Sequence, residues 1–323
     1  MNCSRLFRNR LIQKTLKILK SNLTAPTNSG EPAAGWLKKY SVPIATYAIF
    51  TLIGLIVWAI RDVRYFALFN GIGTTELVTR ILVINNPRLR QPMRRLVQAL
   101  VGGMLLIMLG FVFGVNFQFE QIFFDFQAGV VTGALIQLII ARLIIPFVFG
   151  NAFCSRACWD GAIFEITNRK NGQNFKRKPW LAWGYLILLV AVAFAVAHYF
   201  TNPAGDENEL LRKKWIVGQN LFIIGGGYLL TMLCGSRAYC RLLCPFMTIS
   251  SLLYRFSIFK ITPVKSDSCT QCGACSKACP MLIDVKESVR NVEKVKNAQC
   301  ILCERCVSAC KQNVLKVSAK KAG

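Results

Sequence analysis

Histidine is almost absent from this chain of 323 residues: it occurs once, at position 198. A membrane haem held by two histidines therefore cannot be built by this chain alone, and c-type haem attachment needs a Cys-x-x-Cys-His motif that does not occur. Acidic side chains are also scarce, with 15 Asp and Glu against 40 Lys and Arg. The first 40 residues are polar and basic and lack the apolar run of a secretory signal, so we expect none.

Cysteine, in contrast, occurs 14 times, and eight cysteines form two copies of the spacing Cys-x2-Cys-x2-Cys-x3-Cys near the C-terminus. Thiolates at this spacing hold [4Fe–4S] clusters, and in two-cluster ferredoxins the fourth cysteine of each run binds the other run's cluster. Structural zinc is more often held by two Cys-x-x-Cys pairs, and disulfides need an oxidising compartment. We therefore predict cluster 1 on Cys269, Cys272, Cys275 and Cys310, and cluster 2 on Cys300, Cys303, Cys306 and Cys279.

The remainder of the chain has the composition of a membrane protein. Mean hydropathy is +0.41 and 54% of residues are hydrophobic. A membrane-spanning helix needs about 20 mostly apolar residues. Five stretches meet this requirement: 42–60, 97–116, 127–150, 181–200 and 215–234. A sixth stretch, 65–85, is largely apolar but carries Glu76 and Arg80, so its hydropathy alone leaves open an interfacial helix.

The distribution of charge predicts the topology. Basic segments mark the cytoplasmic side, and residues 151–179 and the tail after 235 are basic, whereas loop 117–126 contains no Lys or Arg. The basic N-terminus also favours the inside, which requires an even number of crossings before Arg88. We therefore predict that 65–85 crosses, although this places Arg61 and Arg64 outside. The result is six helices in the inner membrane, with both termini and the ferredoxin domain cytoplasmic.

The net charge of +25 is concentrated in these inside-facing segments. This distribution argues against nucleic acid as a partner and favours contact with anionic membrane lipid. The predicted fold is an all-α membrane bundle followed by an α+β ferredoxin domain with two [4Fe–4S] clusters. Its expected parts are a basic arm (1–40), a transmembrane domain (41–260) and the ferredoxin domain (261–323). Within the arm we expect an amphipathic helix at 4–23 and a flexible linker at 24–35.

Four further cysteines form a second pattern, Cys-x3-Cys, which occurs twice after a glycine at the inner end of a predicted helix. Residues i and i+4 share one face of a helix, so each pair can present two sulfurs together. Three interpretations remain open: a third [4Fe–4S] cluster, a site for thiol–disulfide or copper chemistry, and buried inert thiols. The residues are Cys154, Cys158, Cys240 and Cys244.

These motifs together resemble the NapH-like membrane polyferredoxins, in which helices end in Cys-x3-Cys-Pro twice and a cytoplasmic double ferredoxin follows. The resemblance covers about 95–317. Trp159 and Lys311 replace prolines of the family pattern, and two additional helices precede the usual four. The resemblance implies an oxidoreductase subunit of the quinol dehydrogenase type, which exchanges electrons between quinone and Fe–S proteins or other redox subunits.

A quinone site is not marked by any motif, so ionisable residues in the predicted helices are the candidates. Glu76 and Arg80 are spaced i, i+4, which is equally expected of an ion pair, and His198 lies at the outer end of its helix. Arg142 lies past the middle of its helix, and we expect it to face the bundle interior. Two other functions stay open: an assembly factor for a membrane oxidase that acts in copper or thiol reduction, and an electron-relay anchor in a larger complex.

Overall fold

The computed structural model describes residues 33–60, 62–112, 121–129, 135, 138–167, 178–201 and 207–319. The predicted amphipathic helix at 4–23 lies outside these residues, as do most of the linker at 24–35 and parts of the predicted spans 97–116 and 127–150. The chain divides into two compact units, 1–45 and 46–323, and the contacts described below lie within the second.

Helices α1 (Ala33–Ile60) and α2 (Val63–Asn85) follow each other closely. The carboxylate of Asp62 begins α2, because it accepts a hydrogen bond from the backbone N–H of Arg64 at 2.8 Å. The rings of Trp58 on α1 and Phe66 on α2 pack with their centroids 5.6 Å apart. The charged stretch 65–85 is therefore helical and packs against the preceding apolar helix.

The next part of the chain departs from the predicted boundaries. Helix α3 (Arg90–Leu105) continues as a π-helix over Leu106–Val112. Helix α4 (Gln121–Ala128) occupies most of the predicted outer loop and ends at Gly129, whose φ of +62° only glycine adopts readily. The prediction of a helix starting at residue 127 is wrong for this reason. A π-helix (Ile140–Ile144) and α5 (Ile145–Phe149) then lead to Gly150.

Two long apolar helices follow after α6 (Ala152–Arg156) and α7 (Trp159–Thr167): α8 (Pro179–Thr201) and α9 (Glu207–Cys234). Within the part of the chain that the structure describes, four helices are long and apolar enough to cross a membrane. They are Lys39–Ile60, Val63–Asn85, Pro179–Val196 and Val217–Cys234. The several apolar helices that we expected are present, but the count of six is not established.

A small α+β domain closes the chain after α10 (Ala238–Leu242), α11 (Pro245–Leu253) and a 3-10 turn at Tyr254–Phe256. Strands β1 (Lys260–Pro263) and β2 (Leu315–Ser318) pair antiparallel, with Lys260 opposite Ser318 and Pro263 opposite Leu315. Between them lie α12 (Ala274–Lys277), α13 (Val285–Arg290) and α14 (Arg305–Ala309). The prediction of a mostly helical chain with a small α+β region at its C-terminus is confirmed.

Candidate iron–sulfur sites

The two long cysteine runs have the same backbone conformation. In each run, the third cysteine lies in a short helix, Cys275 in α12 and Cys306 in α14. Left-handed residues occur at equivalent positions of the two runs: Gln271 and Leu302, Gly273 and Glu304, Leu282 and Asn313. Left-handed backbone is costly for a residue such as leucine and concentrates at functional sites. Loops of this kind turn successive N–H groups inwards and are typical of anion and Fe–S sites.

The cysteines predicted for cluster 2 line one cavity, and all four are buried. Burial raises the pKa of the Cys279 thiol to about 11 and that of Cys300 to about 12. These thiols are therefore neutral at physiological pH unless a metal binds them, because coordination removes the proton. The lining contains three cysteines of the second run and the last cysteine of the first, which is the exchange that the spacing predicts.

The cysteines predicted for cluster 1 line a second cavity that opens to solvent. Cys269, Cys275 and Cys310 are partly buried, whereas Cys272 is exposed. The cavity is lined by three cysteines of the first run and the last cysteine of the second. The donor set and the shared lining suit a [4Fe–4S] cluster in each of the two cavities.

The two Cys-x3-Cys motifs also fold alike. Each follows a glycine with positive φ, Gly150 at +54° and Gly235 at +89°. The first cysteine lies in a five-residue helix (α6 or α10), and the second immediately precedes a nine-residue helix (α7 or α11). The prediction that each pair lies on one helix is wrong, because the chain turns between the two cysteines.

The second cysteine of each motif lies at a helix N-terminus and its sulfur accepts a backbone hydrogen bond. Cys158 accepts from the N–H of Gly161, and Cys244 accepts from the N–H of Met247. A helix N-terminus favours negative charge, so both positions stabilise a thiolate. Burial nevertheless raises the pKa of Cys244 to about 12, as it raises that of Cys158 and Cys240.

The four sulfurs are close enough to interact electrostatically with one another, since Cys240 interacts with Cys154, Cys158 and Cys244. No three His, Cys, Asp or Glu side chains among the described residues are placed to hold a single metal ion. A single zinc ion needs its sulfurs about 4 Å apart, given Zn–S bonds of about 2.3 Å. The described side chains therefore form no mononuclear metal site. A four-iron cluster needs its cysteine sulfurs further apart than a single zinc ion does.

Arg142 approaches this four-cysteine site from the π-helix before α5. Its Nη1 donates to Cys154 Sγ at 3.3 Å, and its Nη2 lies 3.9 Å from Cys158 Sγ. The guanidinium is held between the rings of Phe153 and Phe246, each with its centroid 4.5 Å away. The side chain is buried, as expected from its position in the sequence. A permanent cation is thus fixed against the predicted ligands.

A buried ion-pair network lies behind the same loop. Glu165 is fully buried and pairs with Arg94 and with Arg237 Nη2, the latter at 2.6 Å. Burial alone would raise the pKa of Glu165, but the two arginines outweigh it and hold the pKa well below its usual range. Each charge in this network has a partner, as buried charges require.

The network holds the backbone of the first Cys-x3-Cys motif. The carbonyl oxygen of Cys154 accepts from Arg237 Nη1 at 2.8 Å and from Gln98 Nε2 at 3.1 Å. A side chain at Gly161 would bring its Cβ within 2.9 Å of both donors, so only glycine leaves them room. Gln98, Glu165 and Arg237 were not predicted as site residues. The sequence signal that could have found Glu165 is its position as a lone acid within the apolar run Ala162–Ile166.

The four-cysteine site and the ferredoxin domain are in direct contact. Gln91 Nε2 on α3 donates to the carbonyl oxygen of Cys303, and Asn151 Nδ2 beside Gly150 donates to that of Ala298. Cys154 belongs to the same buried core as the four cluster 2 cysteines, and Cys244 packs against that core. All three sets of predicted ligands contact this core, since Cys269, Cys275 and Cys310 also pack against it.

The quinone-site candidates are placed as follows. Glu76 Oε2 pairs with Arg80 Nε at 2.8 Å on α2, which is the ion pair that the spacing also predicts. His198 lies in the last turn of α8 and is exposed.

Two family models match the chain. A "4Fe-4S dicluster domain" matches residues 268–315, and a "4Fe-4S binding domain" matches twice, at 131–178 and 217–262. Each match of the second model contains one Cys-x3-Cys motif, so the internal repeat is confirmed. The chain therefore carries ferredoxin-type [4Fe–4S] domains at its C-terminus and also at the motifs beside the predicted membrane helices.

Among curated proteins, the chain is similar to the methylamine utilization ferredoxin-type protein MauN of Paracoccus denitrificans, with 28% identity covering 46% of this chain and 54% of that protein. The putative electron transport protein YccM of Escherichia coli is 27% identical, covering 50% and 51%. The uncharacterized protein MJ0749 of Methanocaldococcus jannaschii is 25% identical, covering 50% and 64%. The matches thus span about half to two thirds of these relatives. No solved structure matches. The NapH-like assignment in particular is not confirmed.

Proposed function

We propose that this chain is an integral-membrane electron-transfer protein that links the quinone pool to Fe–S redox partners through three [4Fe–4S] clusters. The observation that carries the proposal is the common core contacted by all three ligand sets. Electron transfer between clusters requires short distances, and a shared core keeps the ligand sets together. The names of MauN and YccM, a ferredoxin-type and a putative electron transport protein, are consistent with this function.

The exposure of the cysteines suggests an order of electron transfer. Cys272 of cluster 1 is exposed, whereas the cluster 2 cysteines and Cys154 are buried. The four-cysteine site follows directly on α5 and α9, at one end of a candidate membrane-spanning helix. We place this site at the membrane end, cluster 2 in the middle and cluster 1 at the solvent end.

The bound clusters supply one-electron storage and transfer. The chain supplies the thiolates, backbone N–H groups at the left-handed turns, and the buried arginines that offset negative charge. The domain bounds 1–40, 41–260 and 261–323, the inner-membrane location and the cytoplasmic position of the ferredoxin domain belong to this proposal. The quinone-site candidates Glu76, Arg80 and His198 also belong to this proposal.

A function in thiol exchange or copper reduction is less well supported by the geometry. Exchange needs an accessible thiolate with a lowered pKa. Cys154, Cys158 and Cys240 are buried, and burial raises the pKa of Cys158 and Cys240. A relay anchor without its own quinone site differs from our proposal only at the membrane end, which the following experiment tests.

Purified protein in detergent is mixed with a soluble quinol analogue, and the visible absorbance of the clusters is followed. We expect partial bleaching in the wild-type chain. In Cys240→Ser, quinol should no longer reduce the clusters, although dithionite still bleaches clusters 1 and 2. If wild-type clusters respond to dithionite but not to the quinol, the quinone linkage is wrong and a relay anchor remains. Unchanged quinol reduction in His198→Ala would remove His198 from the candidates.

A further inference from the structure

Arg142 lies directly against sulfur atoms of the four-cysteine site. Nη1 lies 3.3 Å from Cys154 Sγ and Nη2 lies 3.9 Å from Cys158 Sγ, and the guanidinium also interacts electrostatically with Cys244. Arginine stays protonated in proteins. The charge therefore faces three of the four predicted ligands at all physiological pH values.

The side chain is fixed in this position. Phe153 and Phe246 hold the guanidinium between their rings, and a cation over an aromatic face is stabilised electrostatically. Phe153 precedes a ligand of the first motif, and Phe246 follows a ligand of the second by two residues. The two copies of the repeat thus supply one ring each, and Arg142 lies between them.

A [4Fe–4S] cluster held by four thiolates carries net negative charge, and a buried negative charge is costly without a partner. Reduction adds another electron to it. Hydrogen bonds to the cluster sulfurs are known to raise reduction potentials. We propose that Arg142 is a counter-cation of the third cluster and raises its reduction potential through Cys154 and Cys158. This rests on the proposed third cluster.

The test compares Arg142→Gln with Arg142→Lys, using iron per chain and the potentials at which the clusters titrate by electron paramagnetic resonance. With glutamine the charge is lost. We expect the equilibrium constant for one-electron reduction of the third cluster to fall at least tenfold, which lowers its reduction potential by about 59 mV or more. Lysine keeps the charge and should keep iron with a smaller shift. Arg88→Gln, an exposed arginine, is the matched control and should shift nothing.

Full iron with unshifted potentials in Arg142→Gln would overturn the proposal. Loss of iron in both Arg142 variants would also overturn it, because a role in charge compensation is retained by lysine. Loss of iron with glutamine alone supports it. A wild-type chain with only about eight irons would instead refute the third cluster itself, which separates the two failures.

The opening over cluster 1 carries a second, independent inference. Its lining includes Lys286 and Lys311 beside the exposed Cys272, and it contains no Asp or Glu. Lys286 interacts electrostatically with Cys272, so a positive charge stands next to the most accessible ligand. A positively charged surface attracts an acidic partner and raises its association rate.

We infer that this opening, lined by Cys272, Lys286 and Lys311, is the docking surface for an acidic soluble electron-transfer protein. One electron passes between cluster 1 and a one-electron centre of the partner, so that one is oxidised as the other is reduced. The rest of the domain is compatible with this, since its lysines outnumber its acids and the whole chain carries +25.

The probes are two soluble c-type cytochromes, one acidic and one basic, mixed by stopped flow with chain that dithionite has reduced. We expect the acidic cytochrome to react faster, with a rate that falls as salt rises. Lys286→Glu with Lys311→Glu should slow the acidic probe roughly tenfold at low salt. Lys294→Glu with Lys296→Glu makes the same change in net charge at positions that line neither cavity. It should slow the reaction with the acidic cytochrome far less.

Equal losses in the two double variants, or a wild-type preference for the basic cytochrome, would overturn this inference. The experiment starts from chemically reduced protein, so its outcome does not depend on whether quinol is the natural electron donor.

Discussion

At the residue scale, Gly161 lies where an added side chain would collide with the network that holds the Cys154 carbonyl. An added Cβ would lie 2.9 Å from Arg237 Nη1 and from Gln98 Nε2, the two donors to the Cys154 carbonyl. We expect Gly161→Ala to destabilise the fold by about 1–3 kcal/mol, as overpacking commonly does. Gly225→Ala is the control, since nothing lies within 4 Å of its Cβ position. Thermal unfolding followed by circular dichroism measures the stability of both variants. Equal stability would show that Gly161 is not needed to leave room for these two donors.

Glu165 is the second residue whose replacement tests the buried network. Removing its charge in Glu165→Gln leaves Arg94 and Arg237 buried without their partner, a change that typically costs about 3–5 kcal/mol. Glu304→Gln breaks the more exposed pairs with Arg156 and Arg90 and should cost less than about 1 kcal/mol. Denaturant unfolding compares the two variants. A cost for Glu165→Gln no larger than that for Glu304→Gln would show that the network is not structural.

The same residue predicts a pH dependence. Because the pKa of Glu165 is held below its usual range by two arginines, its contribution to stability is present above the unfolded-state pKa of about 4.3. The contribution is lost as pH falls below that value towards the folded pKa. The stability difference between wild type and Glu165→Gln should therefore shrink as pH is lowered below about 4.3. A constant difference would show that the two arginines do not lower the pKa of Glu165.

At the scale of elements, Tyr254 joins the membrane-proximal loop to the ferredoxin domain. Its side chain is fully buried, its hydroxyl donates to the carbonyl oxygen of Val295 at 2.9 Å, and its ring fills the space beside Gly150. Tyr254→Ala removes a buried ring and should destabilise by about 3–5 kcal/mol. Tyr254→Phe loses one hydrogen bond, worth about 1 kcal/mol.

Hydrogen exchange at residues 293–303 measures this effect. We expect faster exchange in the alanine variant and near-wild-type exchange in the phenylalanine variant. Unchanged exchange in Tyr254→Ala would mean that the domain is held by other contacts, such as those of Gln91 and Asn151.

The elements also show what the sequence could predict. The long apolar helices and the ferredoxin loops could be predicted, because hydropathy and cysteine spacing are local signals. The break after Cys154 could not, since i, i+4 spacing is typical of a continuous helix and the turn depends on Gly150 and tertiary contacts. The ion pairs of Glu165 were not predictable, because Arg94 and Arg237 lie 71 and 72 residues away in the chain.

At the scale of the whole molecule, the predicted membrane topology can be tested with a reporter fusion. Helices α1 and α2 are both long and apolar enough to span a membrane, and only two residues separate them in the sequence. A reporter inserted after residue 63 should lie on the side of the membrane opposite the cytoplasm if both helices cross. A cytoplasmic reporter at that position would contradict the six-helix topology, whereas a reporter at the C-terminus should be cytoplasmic in either case.

The central claim is that the chain holds a third cluster on Cys154, Cys158, Cys240 and Cys244, beside the two of the ferredoxin domain. The most direct test is the iron and acid-labile sulfide content of the purified chain. We predict about twelve irons per wild-type chain and about eight in Cys240→Ser, because four irons belong to each cluster. About eight irons in both proteins would contradict the claim.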